Sequence, residues 1–138
     1  VQRILDEEHE HGLDTLAPYK AFAHRVAISR RELLSFLEVA RAEGKTVAAL
    51  GASTKGNVLL QYCGLTEKDI SFIGEVNSDK FGCYTPGSWI PIVPEEELLA
   101  RKPCYLIILP WHFRKFFKMN PKYSKEILIT PLPMLEVI

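Results

Sequence analysis

The sequence predicts a doubly wound α/β fold of three layers, with a mainly parallel sheet preceded by a long N-terminal helix. Three observations carry that expectation. Short apolar runs alternate with helical segments along the chain. One run, Cys104 to Leu109, is continuously apolar, as in a central parallel strand covered on both faces. Another, Val47 to Leu50, breaks at Gly51 and resumes as a helical pattern through Val58, Leu59, Leu60 and Tyr62. Strands are therefore expected near 46–50, 70–76, 104–109 and 126–129, with a short one at 89–92 as a further candidate.

Residues 1–17 read as a solvated linker from an upstream domain, and residues 18–138 as the domain itself. The linker carries Asp6, Glu7, Glu8, His9, Glu10 and His11 before Gly12. His9, His11 and His24 match no zinc-site spacing, so no metal is assigned to them. From Pro18 to about Glu43 the pattern is helical, with Phe22, Val26, Leu33, Leu37 and Ala40 on one stripe. Pro18 suits a first turn, and Gly44 a left-handed C-terminal cap.

The stretch Gly51-Ala52-Ser53-Thr54-Lys55-Gly56-Asn57 follows the first strand and opens its helix. The first amides of a helix lack internal partners, and the helix dipole is positive there. An anion can settle on them where small residues leave room. The spacing Gly51 to Gly56 begins like a P-loop, but Asn57 and Val58 replace the lysine and the metal-binding hydroxyl. Ser53 also stands where a dinucleotide fingerprint needs its second glycine. A ligand-free strand-to-helix turn fits the same residues.

Gly64 ends that helix, and Ile70 to Val76 form the next strand. Glu75 lies 24 positions beyond Gly51, about where dinucleotide folds place a ribose acceptor. A surface glutamate at a strand end is the competing reading. Asn77, Ser78, Asp79 and Gly82 make a loop. Residues 82–92 hold two prolines, two glycines, Tyr84 and Trp89, which describes a stiff, shaped loop. The two aromatics suit either stacking on a ring or covering the core edge. Pro94 starts a short helix to Ala100. The strand 104–109 ends at Pro110-Trp111-His112-Phe113, on the sheet edge where α/β folds bind ligands. A helix to Met119 and the last strand follow, and Pro131 and Pro133 stiffen the tail.

The 138 residues carry 17 basic and 17 acidic side chains. That balance gives no reason to expect nucleic acid or an anionic membrane as partner. No apolar run is long enough to span a bilayer. Cys63, Cys83 and Cys104 are odd in number and widely spaced, as expected for reduced thiols of a cytoplasmic protein.

Taken together, the motifs resemble a family. They are Gly51-Ala-Ser-Thr-Lys-Gly-Asn57, Asn77-x-x-Lys80-x-Gly82-x-Tyr84-Thr-Pro-Gly87-x-x-Ile90-Pro-Ile92 and Leu109-Pro-Trp111. In order and spacing, from about Gly12 onward, they resemble the C-terminal domain of bacterial sugar C-methyltransferases. The resemblance implies a Rossmann-like domain following a zinc-binding region and a central methyltransferase domain. Those enzymes use S-adenosylmethionine to methylate a ring carbon of a nucleotide-linked keto-deoxysugar. The family usually has aspartate at Glu75 and asparagine at His112. The first change lengthens the arm of an acceptor, and the second alters hydrogen-bonding geometry towards substrate.

The resemblance places the cofactor, the zinc and the catalytic base outside this chain, which is expected to hold no cofactor and to be inactive alone. Its implied role is to bind a nucleotide-diphosphate sugar. Backbone amides from Ala52 to Asn57, with Lys55, would hold the diphosphate. Glu75, Asn77, Tyr84, Trp111 and His112 would complete the substrate site, the last two and the 82–92 loop on the sugar side. Two other readings remain open at this point: an independent dinucleotide-binding oxidoreductase domain, and a purely architectural domain.

Overall fold

The computed structural model describes all 138 residues. Helix α1 (Gln2–Glu10) buries none of its residues, so the acidic lead-in is solvated as expected, and helical. Helix α2 (Ala17–Ala42) carries Pro18 in its first turn, where a missing N–H removes no helical bond. It stops at Gly44, whose φ of +67° lets the Lys45 amide turn back to the Ala40 carbonyl at 2.8 Å.

The sheet contains β1 (Val47–Leu50), β2 (Ile73–Glu75), β3 (Ile92–Pro94), β4 (Tyr105–Ile108), β5 (Leu128–Thr130) and β6 (Glu136–Val137). Their spatial order is β3-β2-β1-β4-β5-β6, and only β6 runs antiparallel. Helices α3 (Thr54–Cys63), α4 (Glu95–Ala100) and α5 (Arg114–Met119) lie between strands in sequence. The order runs one way from β1 and the other way from β4, so the topological switch point lies between these two strands. The mainly parallel α/β fold read from the sequence is the fold observed.

Alternation along the strands divides the core between the two faces of the sheet. Val47 and Ala49 of β1 join Ile107 of β4 in packing with Leu33 and Leu37 of α2 and Leu59 and Leu60 of α3. Ala48, Leu50, Leu106 and Ile108 pack on the other face with Leu98 of α4 and Phe117 of α5. The α3 side depends on Gly56, because a Cβ there would lie 2.8 Å from Cβ of Leu109.

β1 and β4 fall within a residue of the expected bounds at each end, three other strands are displaced or shortened, and one strand is added. The second strand is limited to residues 73–75, and the last parallel strand is shifted to 128–130. The candidate strand at 89–92 lies instead at 92–94, because Trp89 sits at φ +57° and turns the chain. Residues 82–92 double back as a hairpin, in which the Gly82 amide donates to Ile92 and the Thr85 amide to Ile90, both at 3.0 Å. The tail beyond Pro131 and Pro133 returns as β6, an element too short for its pattern to register in sequence.

The stripe on α2 is buried only at Leu33, Leu37 and Ala40. Phe22 remains exposed and Val26 half-buried, because both line a cavity rather than packed core.

Candidate functional site

The carboxyl ends of β1 and β4 meet where Gly51 and Pro110 follow their strands. Gly51 has φ +81°, and a Cβ would come within 2.8 Å of the Pro110 ring, so only glycine fits this close approach. The next residue, Ala52, is fixed by two bonds. Its N–H donates to Glu75 Oε2 at 3.0 Å, and its carbonyl accepts from Lys80 Nζ at 3.0 Å. Ser53 caps α3, its Oγ accepting the Gly56 amide at 3.1 Å.

This arrangement settles which amides of the turn are already engaged. Ala52 points at a carboxylate, Ser53 at the Gly51 carbonyl, Gly56 at the cap, and Asn57 at the Ser53 carbonyl. Thr54 and Lys55 occupy the first two helical positions, whose amides a helix leaves over. The Asn57 Oδ1 is buried without a hydrogen-bond partner.

Glu75 has its lone pairs filled by the chain. Oε1 accepts from the amides of Val76 and Asn77 at 2.8 and 3.1 Å, while Oε2 accepts from Ala52 and from Lys80 Nζ at 3.2 Å. Burial pushes its pKa up. The Asn77 and Val76 amides and the Lys80 ammonium outweigh burial, so the carboxyl titrates below its ordinary range. The ribose-acceptor role expected for Glu75 finds no free lone pair here. Lys80, quoted in the sequence only as a motif letter, is the cation that this carboxylate holds.

Two cavities open at this edge, one on each face of the sheet. The first, of about 590 Å³, lies between α2 and α3 and is lined by Lys55, Arg25, Arg30, Phe22, Tyr62 and Trp111 among others. No carboxylate lines it. None of its three cations forms an ion pair. The second, of about 330 Å³, lies at the switch point beneath α5, with Gly51, Ser53, Glu75, Lys80, Phe113 and Tyr123 in its wall. Tyr123 donates to Glu95 Oε1 at 2.9 Å; burial, and then this bond, push its phenol pKa well up.

The expected site residues therefore divide. Lys55 and Trp111 share the α2–α3 cavity, whereas Gly51, Ala52, Ser53 and Glu75 line the switch-point cavity. The 3₁₀ turn Trp111–Phe113 contributes one aromatic to each. His112 is exposed between them, its ring 4.3 Å from that of Phe113 and 6.1 Å from that of Trp111. Asn77 caps the following 3₁₀ turn through the Asp79 amide at 3.0 Å. Tyr84 is exposed in the hairpin, 6.3 Å from the Trp89 ring, and lines neither cavity. The hairpin itself is tied to α3 by Gln61 Nε2, which donates to the Pro86 carbonyl at 2.8 Å.

Sequence reasoning missed Arg25, Arg30, Phe22 and Tyr62 as lining groups. A signal was present, since Lys55, Val58, Leu59 and Tyr62 recur at helical spacing and form one face of α3.

Residues 1–133 match the family described as C-methyltransferase C-terminal domain. The chain belongs to that family. As a C-methyltransferase C-terminal domain it is similar throughout to C-methyltransferase NovU of Streptomyces niveus, at 35% identity over 141 residues. The alignment covers 100% of this chain and 34% of NovU, so the chain spans about a third of its relative's length. The match reaches residue 1, further upstream than the motifs alone suggested. No helix of this C-methyltransferase C-terminal domain is long and apolar enough to cross a membrane.

Proposed function

We propose that the chain is the substrate-binding domain of an S-adenosylmethionine-dependent C-methyltransferase acting on a nucleotide-linked keto-deoxysugar. In this reading it works beside a methyltransferase domain of the same polypeptide. The observation that carries the reading is the α2–α3 cavity at the carboxyl edge of the sheet. Three cations free of ion pairs, with no carboxylate among the lining residues, suit a ligand of multiple negative charge. Lys55 belongs both to this wall and to the first turn of α3, so a diphosphate there would meet the ammonium and the positive end of the helix together.

The residues at the switch point do not suit a nucleoside cofactor, because Glu75 has no lone pair for ribose hydroxyls. We therefore assign the methyl donor to the companion domain. The donor supplies an electrophilic methyl group, transferred to a sugar carbon acidified by its neighbouring carbonyl. This chain would contribute position, holding the diphosphate so that the sugar projects beyond the sheet edge. The same saturation of Glu75 weighs against the dinucleotide-binding oxidoreductase reading.

The test is calorimetric titration of a nucleotide-diphosphate sugar into the parent polypeptide at two salt concentrations. A charge-assisted contact is worth about 1.5–3 kcal/mol, so Lys55→Ala should weaken binding about ten- to a hundredfold. Added salt should weaken the wild type more than the variant, because screening acts on the charge removed. Equal affinities would leave the architectural reading as the better one.

A further inference from the structure

The α2–α3 cavity carries more chemistry than a diphosphate needs, and the surplus is aromatic. Phe22 on α2, Tyr62 on α3 and Trp111 after β4 all line it. The Arg25 guanidinium lies over the Phe22 ring at 5.8 Å, and that of Arg30 over the Tyr62 ring at 5.9 Å. Arg30 is held there, since its Nε donates to the Tyr62 carbonyl at 3.2 Å. The volume of about 590 Å³ is that of an ordinary small-molecule site, which is mostly apolar with a few placed polar groups.

We propose that the nucleobase of a nucleoside diphosphate, rather than its sugar, enters this cavity. The proposal rests on the nucleotide-sugar reading above and adds to it which end of the ligand is enclosed. Donors and acceptors in the wall distinguish the two ends of the ligand. A hexose ring brings several hydroxyl protons that need acceptors, and burying more of them than a wall can receive is costly. The wall provides Arg25, Arg30 and Lys55, which only donate, and no carboxylate or side-chain amide. The single proton of the Ser29 hydroxyl is shared between the carbonyls of Arg25 and Pro133, at 3.1 and 3.0 Å, so its oxygen and that of the Tyr62 phenol are the only side-chain acceptors in the wall. A base has flat faces for aromatic rings and guanidinium planes, and edge carbonyls that accept from arginine. Lys55, at the start of α3, then meets the diphosphate, and the sugar is left outside the cavity.

The experiment compares three probes by calorimetry on the parent polypeptide: uridine diphosphate, inorganic pyrophosphate and glucose 1-phosphate. Uridine diphosphate should bind at least tenfold more tightly than either of the others. Tyr62→Ala should weaken uridine diphosphate about tenfold and leave pyrophosphate unchanged, with Tyr62→Phe restoring the affinity. Arg25→Ala removes an exposed side chain outside the packed core, and circular dichroism of each variant would check its fold. It should also weaken uridine diphosphate about tenfold.

Pyrophosphate or glucose 1-phosphate binding as tightly as uridine diphosphate would overturn the proposal. So would a nucleotide sugar whose affinity ignores both Tyr62→Ala and Arg25→Ala, and in that case the nucleotide-sugar reading would survive alone. Failure of every nucleotide and nucleotide sugar to bind would remove both.

Discussion

Glu75 is a buried carboxylate with donors on both oxygens, and its titration is a property of the fold. Its folded pKa lies below the ordinary value of 4.5, so it stabilises the chain above that pH. The contribution is lost as pH falls through the lower, folded value. Glu75→Gln should therefore cost about 1.5–3 kcal/mol at pH 7, and unfolding below pH 4.5 should be less steeply acid-dependent than in the wild type. Urea titrations at pH 7 and pH 3 would check this, and parallel losses in both proteins would contradict it. The position of Glu75 was legible in sequence, because 24 residues is the length of one strand-helix-strand passage. Its partner Lys80 was not, since five positions across a loop follow no regular period. The arginines of the α2–α3 cavity escaped for a related reason. They lie beside the apolar stripe of α2, where charged side chains ordinarily meet only water.

Helix α2 shows what periodicity tells and what it omits. The stripe from Phe22 to Ala40 marks a face, and a face exists whether or not anything covers it. Leu37 is 4% exposed in the core and Phe22 is 60% exposed over the cavity, although both sit on that stripe. Leu37→Ala should cost about 2–5 kcal/mol, and Phe22→Ala should change stability by no more than about 0.5 kcal/mol. Chemical denaturation would separate the two, and comparable losses would mean that the first half of the helix is packed in solution. Among the strands, β1 and β4 were legible because burial on both faces leaves an unbroken apolar run. β6 was not, because two residues cannot show an alternation. The hairpin at 82–92 was read as stiff, but its fold-back depends on Trp89 adopting a positive φ, which its residue type does not announce.

Across the whole molecule, stability should be graded from the sheet outward. Amides of β1 and β4 lie between two layers of helix, whereas α1 buries nothing. Hydrogen exchange should be slowest in β1 and β4, and faster by orders of magnitude in α1; equal protection of α1 would show that it is docked. Topology was legible at this scale because alternating strands and helices leave few parallel arrangements. The two cavities were not, since each is a gap between elements and no single stretch encodes it. The uneven burial of α2 also has a mechanical consequence. The helix is clamped from Leu33 onward and tied again at Ser29 and Arg30, and the stretch before them forms one wall of the larger cavity. It is a beam fixed at one end. Phe22 lies about 10 Å beyond the Ser29 tie at 1.5 Å per residue, so a tilt of about 5° swings its Cα through roughly 0.9 Å. The width of the cavity is thus set by the angle at which α2 leaves the sheet, and a load on the α1 end would open or narrow it.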